Sequence, residues 1–161
     1  MTDELTQIAN RRRIMMQAEQ ERVKALDTRQ SLCFLILDLD HFKQVNDKYG
    51  HDVGDIVLQQ MCMTVTSMLR VQDHFGRTGG EEFLIVLPDT DADAAFAIAE
   101  RLRQAIADIQ FPETPKKMRI TCSIGISQYR PDEPLNISLG RADDALYQAK
   151  AAGRDQTQRS D

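Results

Sequence analysis

The chain has 161 residues, 42% hydrophobic and 28% charged, which fits one soluble globular domain with a sizeable core. The 20 lysines and arginines against 25 aspartates and glutamates leave a net charge of -5, which argues against a protein built to grip polymeric DNA or RNA, since that needs a basic face. No apolar run approaches membrane-spanning length and no secretory signal is present, so a cytoplasmic location is expected. Cys33, Cys62 and Cys122 lie among apolar neighbours at spacings that suggest neither zinc nor a disulfide framework, and buried free thiols are expected.

In chain order, Asp3 to Arg12 is polar with spaced apolar residues and reads as an extended lead-in or turn. Asn10 is placed to cap a helix running to about Ala25 or Asp27. Leu32 to Leu37 is an unbroken apolar run, expected as a central strand buried on both faces. A short helix follows around Phe42 to Asp47, and Tyr49 to Asp55, with two glycines, reads as a loop. Asp55 to Leu69 carries apolar residues at helical spacing. Val71 to Thr78 and Phe83 to Leu87 read as antiparallel strands joined by the Gly79-Gly80 turn. Pro88 to Asp91 closes the second strand and caps a helix over Ala92 to Ile109. Phe111 to Lys117 reads as a loop. Arg119 to Gln128 alternates, marking a strand with one face on the core. Tyr129 to Asn136 reads as a turn-rich loop, Ser138 to Ala152 as a last helix stopped by Gly153, and the tail after Asp155 as frayed. This order predicts an α+β fold, a mainly antiparallel central sheet flanked by helices, built like the catalytic palms of polymerases and nucleotide cyclases.

Two acidic strand ends carry the chemistry. Asp38 and Asp40 end one strand, and Glu81 and Glu82 begin another. If those strands are neighbours, oxygen ligands converge with no histidine or cysteine among them, which suits Mg²⁺ or Mn²⁺. Such ions commonly act on phosphates, and backbone N–H groups in a glycine turn can face phosphate oxygens. Asp40 has a plainer expected role, capping the helix that holds Phe42.

Gly79-Gly80-Glu81-Glu82-Phe83 is the GGEEF form of the signature of the GGDEF domains, and the chain resembles that family, the diguanylate cyclases, along almost its entire length. The resemblance includes Asp3-Glu4-Leu5-Thr6 with Asn10-Arg11-Arg12, Asp38 to Lys43, Asn46-Asp47, Gly50-His51 and Gly54-Asp55. It continues through Ser123-Ile124-Gly125, Ala142-Asp143, Ala145-Leu146-Tyr147, Ala149-Lys150 and Gly153-Arg154. One block alone would be weak, but this many in order is specific.

The resemblance implies a palm-like nucleotidyl cyclase with a ferredoxin-like core, condensing two GTP into cyclic di-GMP with release of two pyrophosphates. It implies Asp38, the Leu39 carbonyl and Glu81 as ligands of Mg²⁺ or Mn²⁺, with Glu81 also activating the attacking 3′-hydroxyl. Glu82 is implied as a further metal or catalytic carboxylate and Lys43 as a charge stabiliser on the phosphates. Asn46 and Asp55 match the guanine readers. Chemically this suits them, since a carboxylate accepts from guanine N1–H and its 2-amino group, and adenine offers neither. Asp55 could also cap its helix. His51 is placed near the base, Gly79 and Gly80 at the phosphates, and Lys150 and Arg154 near the triphosphate.

Arg70-Val71-Gln72-Asp73 is separated from Gly79 by five residues, matching the family's RxxD inhibitory site for cyclic di-GMP, with Arg101 as a further contributor. A homodimer follows from the symmetric product, and members of the family usually carry an N-terminal sensory or dimerising module, so a longer parent protein is expected. The alternative is a non-catalytic receptor for GTP or cyclic di-GMP, which would not need Asp38, Lys43, Glu81 and Glu82 together. A cyclase making a mixed dinucleotide stays open. Gln7, Thr78 and Asp155 depart from the family pattern, which usually has glycine and asparagine at the positions of Gln7 and Asp155.

Overall fold

The apolar run from Leu32 to Leu37 demands burial on both sides, and the computed structural model, which describes residues 1–112 and 118–160, places it at the centre of the sheet. The elements are α1 (Arg11–Thr28), β1 (Leu32–Leu39), α2 (Phe42–Tyr49), α3 (His51–Met68), β2 (His74–Arg77), β3 (Glu82–Pro88), α4 (Ala92–Ala107), β4 (Cys122–Gln128), α5 (Leu135–Ala151) and β5 (Thr157–Arg159). The sheet order is β2-β3-β1-β4-β5, antiparallel except for the β4/β5 edge pair. This is the expected α+β architecture. Asn10 caps α1 by accepting from the Arg13 N–H at 2.9 Å, and Asp91 caps α4 by accepting from Ala94 at the same distance.

The two faces of β1 enter two cores. Cys33, Leu35, Leu37 and Leu39, with Phe83, Ile85, Ile124 and Ile126, pack against α2, α3 and α4. Phe34 and Ile36, with Leu84 and Val86, pack beneath α1 and α5. All three cysteines are buried and free, and burial pushes the Cys33 and Cys62 thiols up to about 12.

Several expectations are corrected. β4 is buried on both faces, because α5 lies directly over Ser123, Gly125 and Ser127; a Cβ on Gly125 would sit 2.2 Å from the Ala142 carbonyl. Alternation there marks large against small residues rather than core against water. Tyr49 to Asp55 is not a loop. Gly50, at φ 89°, makes the whole turn, and α3 begins at His51 with Gly54 inside it, so Asp55 does not cap that helix. Gly54 is required by close approach, since a Cβ there would meet Asn46 Oδ1 at 1.9 Å. β2 is shorter than expected, with Val71 fully exposed. The tail after Asp155 forms β5, held by pairing to β4 and by Thr157 Oγ1 donating to Glu100 at 2.7 Å. α5 also starts earlier than expected, at Leu135, taking in the end of the turn-rich stretch. Of the Phe111–Lys117 loop, residues 113–117 lie outside the described residues.

Candidate active site

The antiparallel register of β1 and β3 sets Asp38 directly opposite Glu82, and the Leu39 N–H donates to the Glu81 carbonyl at 3.2 Å. The two acidic strand ends are therefore neighbours. Asp38 is 8% exposed. Burial pushes its carboxyl above the ordinary range, Glu81 and Glu82 push the same way, and the Lys150 ammonium opposes them. Lys150 reaches from the last turn of α5 and donates to Asp38 Oδ2 at 2.5 Å. A half-buried lysine thus stands where the local charge calls for a cation.

The Gly79-Gly80 turn is held from beneath. Thr78 and Gly79 donate their N–H groups to the Glu82 carbonyl at 3.0 and 3.2 Å. Arg77 fans across the turn, its Nε and Nη2 donating to the Gly79 and Gly80 carbonyls at 2.8–3.1 Å while Nη1 pairs with Asp3 at 3.3 Å. Asp3 also accepts from the Thr6 N–H and hydroxyl. Burial raises its carboxyl, but those bonds and Arg77 outweigh it and hold it below the usual range. The lead-in before α1 is thereby tied to the turn. The sequence does not single out Asp3 and Arg77 for this; their signal was an acid in a short polar lead-in and a cation beside the glycines.

Asn46 on α2 lies against Gly54 on α3, which lets the two helices close up, and Asp55, exposed, is the next residue of α3. His51 opens α3 and is exposed, as are Lys43 in the first turn of α2, Gly79, Gly80 and Arg154. Arg154 follows Gly153 in a left-handed turn, at φ 64°. Asp40 is corrected. The cap position before α2 is His41, with no side-chain cap bond. Asp40 instead points the other way and accepts from Thr121 Oγ1, Ser123 Oγ and the Asp155 N–H at 2.7, 2.7 and 3.0 Å.

Arg70 and Asp73 also meet. Arg70 Nη2 donates to Asp73 at 2.8 Å and further to the Pro88 carbonyl and Thr90 Oγ1. They border a groove of about 430 Å³ with Arg13, Gln17 and His74. Arg101 is exposed on α4 and does not line that groove.

For a divalent cation, Asp38, Glu81 and Glu82 offer oxygen only. Among the described residues no three His, Cys, Asp or Glu side chains converge closely enough to hold an ion alone. An ion at Asp38 would therefore draw on backbone and substrate oxygens as well, which is how Mg²⁺ is usually held. No described helix is long and apolar enough to cross a membrane.

The family model for the diguanylate cyclase GGDEF domain matches residues 1–156. The chain belongs to the GGDEF family of diguanylate cyclases. It is 41% identical over 155 residues to the diguanylate cyclase DgcP of Pseudomonas aeruginosa, covering 96% of this chain and 23% of that protein. It superposes with a TM-score of 0.95 and 37% identity on the diguanylate cyclase SiaD, solved with its activator SiaC from Pseudomonas aeruginosa, over 99% of this chain and 61% of that one. A solved active GGEEF domain of a diguanylate cyclase from Vibrio cholerae gives a TM-score of 0.91 at 35% identity, covering 96% of this chain and 99% of that one. The chain thus spans about a quarter of DgcP, and in the Vibrio structure the whole of a domain of its kind. GGDEF cyclases generally depend on a divalent metal.

Proposed function

We propose that this domain condenses two GTP molecules into cyclic di-GMP, releasing two pyrophosphates. The observation that carries the reading is the register pairing of Asp38 with Glu82 beside Glu81, a buried aspartate among half-buried glutamates balanced by one lysine. Asp38, the Leu39 carbonyl and Glu81 are assigned to Mg²⁺ or Mn²⁺, which when bound supplies charge stabilisation at the triphosphate. Glu81 takes the proton from the attacking 3′-hydroxyl, and Glu82 adds a second carboxylate beside the metal. Lys43, Lys150 and Arg154 carry positive charge to the phosphates, and the Gly79-Gly80 turn brings backbone close to them. On this reading Lys150 leaves Asp38 for the phosphates when the metal arrives, one cation replacing another.

Asn46 and Asp55 read the guanine, and His51 lines the same side. Each domain holds one GTP, and two domains face each other so that each 3′-hydroxyl attacks the other's α-phosphate. Arg70 and Asp73 bind the product as feedback, with Arg101 turning toward the ligand from α4. The parent protein would supply the module that brings two domains together.

The test is a product assay on the purified chain with GTP and Mg²⁺ at several protein concentrations. Cyclic di-GMP rising more than proportionally with protein is expected. No product at any concentration, including in a coiled-coil fusion that forces dimers, would replace the cyclase with a nucleotide-binding module.

A further inference from the structure

Gly140 has no visible structural reason. The molecule's other glycines outside the Gly79-Gly80 turn are explained. Gly50 and Gly153 hold positive φ, and a Cβ on Gly54, Gly76 or Gly125 would strike a neighbour at 2.4 Å or less. Gly140 lies inside α5, where glycine weakens a helix. Its φ is ordinary, and a Cβ there would find nothing within 4 Å. What a side chain would enter is a cleft of about 330 Å³ between α1 and α5, within the range of small-molecule pockets.

The cleft opens beside Glu82. Its floor is Ile36 and Leu84, and Met15 of α1 and Leu139 of α5 are apolar groups on its two sides. Arg11 and Asp143 bring opposite charges to it. Arg11 Nη1 donates to the Thr78 carbonyl at 3.0 Å, and its other N–H groups are uncommitted among the described residues. Asp143 is exposed and has no hydrogen bond or ion pair among the described residues. A flat apolar slot with a guanidinium and a carboxylate suits guanine. Arginine donates to O6 and N7, and a carboxylate accepts from N1–H and the 2-amino group. Adenine keeps the N7 acceptor but presents an amino donor in place of O6, and it lacks the second pattern.

We propose that the α1–α5 cleft is a second guanine subsite, distinct from the Asn46–Asp55 pair, kept open by Gly140 and read by Arg11 and Asp143. It rests on the cyclase reading for its purpose, since the product carries two guanines and the Asn46–Asp55 pair of one domain reads only one of them. The occupant is the second guanine of the finished product, because the facing GTP keeps its base on the facing domain's own Asn46–Asp55 pair.

The test uses the whole chain carrying Arg70→Ala, so that the RxxD corner does not contribute. Gly140→Leu fills the cleft and Asp143→Asn removes the acceptor. Neither replaces Asp38, Glu81, Glu82, Asn46 or Asp55, and Asp143→Asn leaves the volume beside Glu82 unaltered. Calorimetric titrations would use cyclic di-GMP and, separately, αβ-methylene-GTP with Mg²⁺. Both variants are expected to weaken cyclic di-GMP binding at least tenfold, with the thermal midpoint of Gly140→Leu unchanged or raised, and Asp143→Asn is expected to leave the single equivalent of the GTP analogue unchanged. Equal weakening of the analogue by Asp143→Asn would place the effect at the Asn46–Asp55 pair and overturn the proposal. Unchanged binding of cyclic di-GMP in both variants overturns it too, as does a parent chain that does not bind cyclic di-GMP. The cyclase reading fails separately, through absence of product from the unaltered chain.

Discussion

Asp38 and Asp40 leave the same end of β1, both buried, and their surroundings are opposite. Asp40 is ringed by donors, two hydroxyls and a backbone N–H. Asp38 is ringed by acids, with Glu82 across the ladder, Glu81 beside it and a single lysine as relief. An acid whose oxygens are satisfied by the protein is a strut. It joins the end of β1 to the start of β4 and to the turn that delivers Arg154. An acid buried among other acids is unfavourable without a counter-ion and would become favourable beside a divalent cation. The two residues share a type and a neighbourhood, and only their partners separate structure from chemistry.

The largest expected effect is on the Asp38 side. Asp38→Asn should lower turnover by about 10²-fold or more, the usual scale for removing one charge-stabilising group from a site, while the thermal midpoint holds or rises. The pH dependence follows in sign. With its carboxyl raised above the ordinary 3.8, the folded domain takes up that proton more readily than the unfolded chain. Asp38 therefore costs stability above its folded pKa, and the cost is relieved as pH falls through it. The gain from Asp38→Asn should be largest near neutral pH and vanish below about the unfolded value. A gain that persists unchanged at low pH would show that the cluster is not its source.

Asp40→Ala should behave oppositely. Three lost hydrogen bonds at about 1 kcal/mol each, with donors left in a buried setting, predict a loss of about 3 kcal/mol in urea unfolding. Lys150→Ala strands the Asp38 carboxylate and should cost about 1–3 kcal/mol without metal. Saturating Mg²⁺ with αβ-methylene-GTP should recover most of that loss, whereas it should not rescue Asp40→Ala. The smallest effect belongs to the lead-in. Gln7 sits at φ 63°, where glycine carries no Cβ penalty. Gln7→Gly should add about 1 kcal/mol, read in the same unfolding experiment.

Features set by local pattern were legible in the sequence. The run Leu32 to Leu37 could only be a central strand, Asn10 and Asp91 cap where their positions suggest, and the glycine hairpin puts Glu81 and Glu82 at a strand start. With β1 and β3 adjacent, the Asp38 cluster follows from the motif. Features set by a distant partner were not legible. Gly54 reads as a loop residue until α2 packs against α3 and Asn46 fills the place of its Cβ. Thr157 to Arg159 has no apolar pattern, and its strand exists because β4 offers an open edge. Asp40 reads as a helix cap until Thr121, Ser123 and Asp155 arrive from the far end of the chain. Arg77 and Asp3, far apart in sequence, show their link only when the lead-in folds back on the hairpin.

The most direct test of the account is Mn²⁺ binding, followed by electron paramagnetic resonance with αβ-methylene-GTP present, in the unaltered chain, in Asp38→Asn and in Asp40→Asn at a temperature where all three are folded. The account predicts that Asp38→Asn weakens Mn²⁺ binding at least tenfold and that Asp40→Asn leaves it unchanged. Equal Mn²⁺ affinity in Asp38→Asn and the unaltered chain would contradict the assignment of Asp38 to the metal.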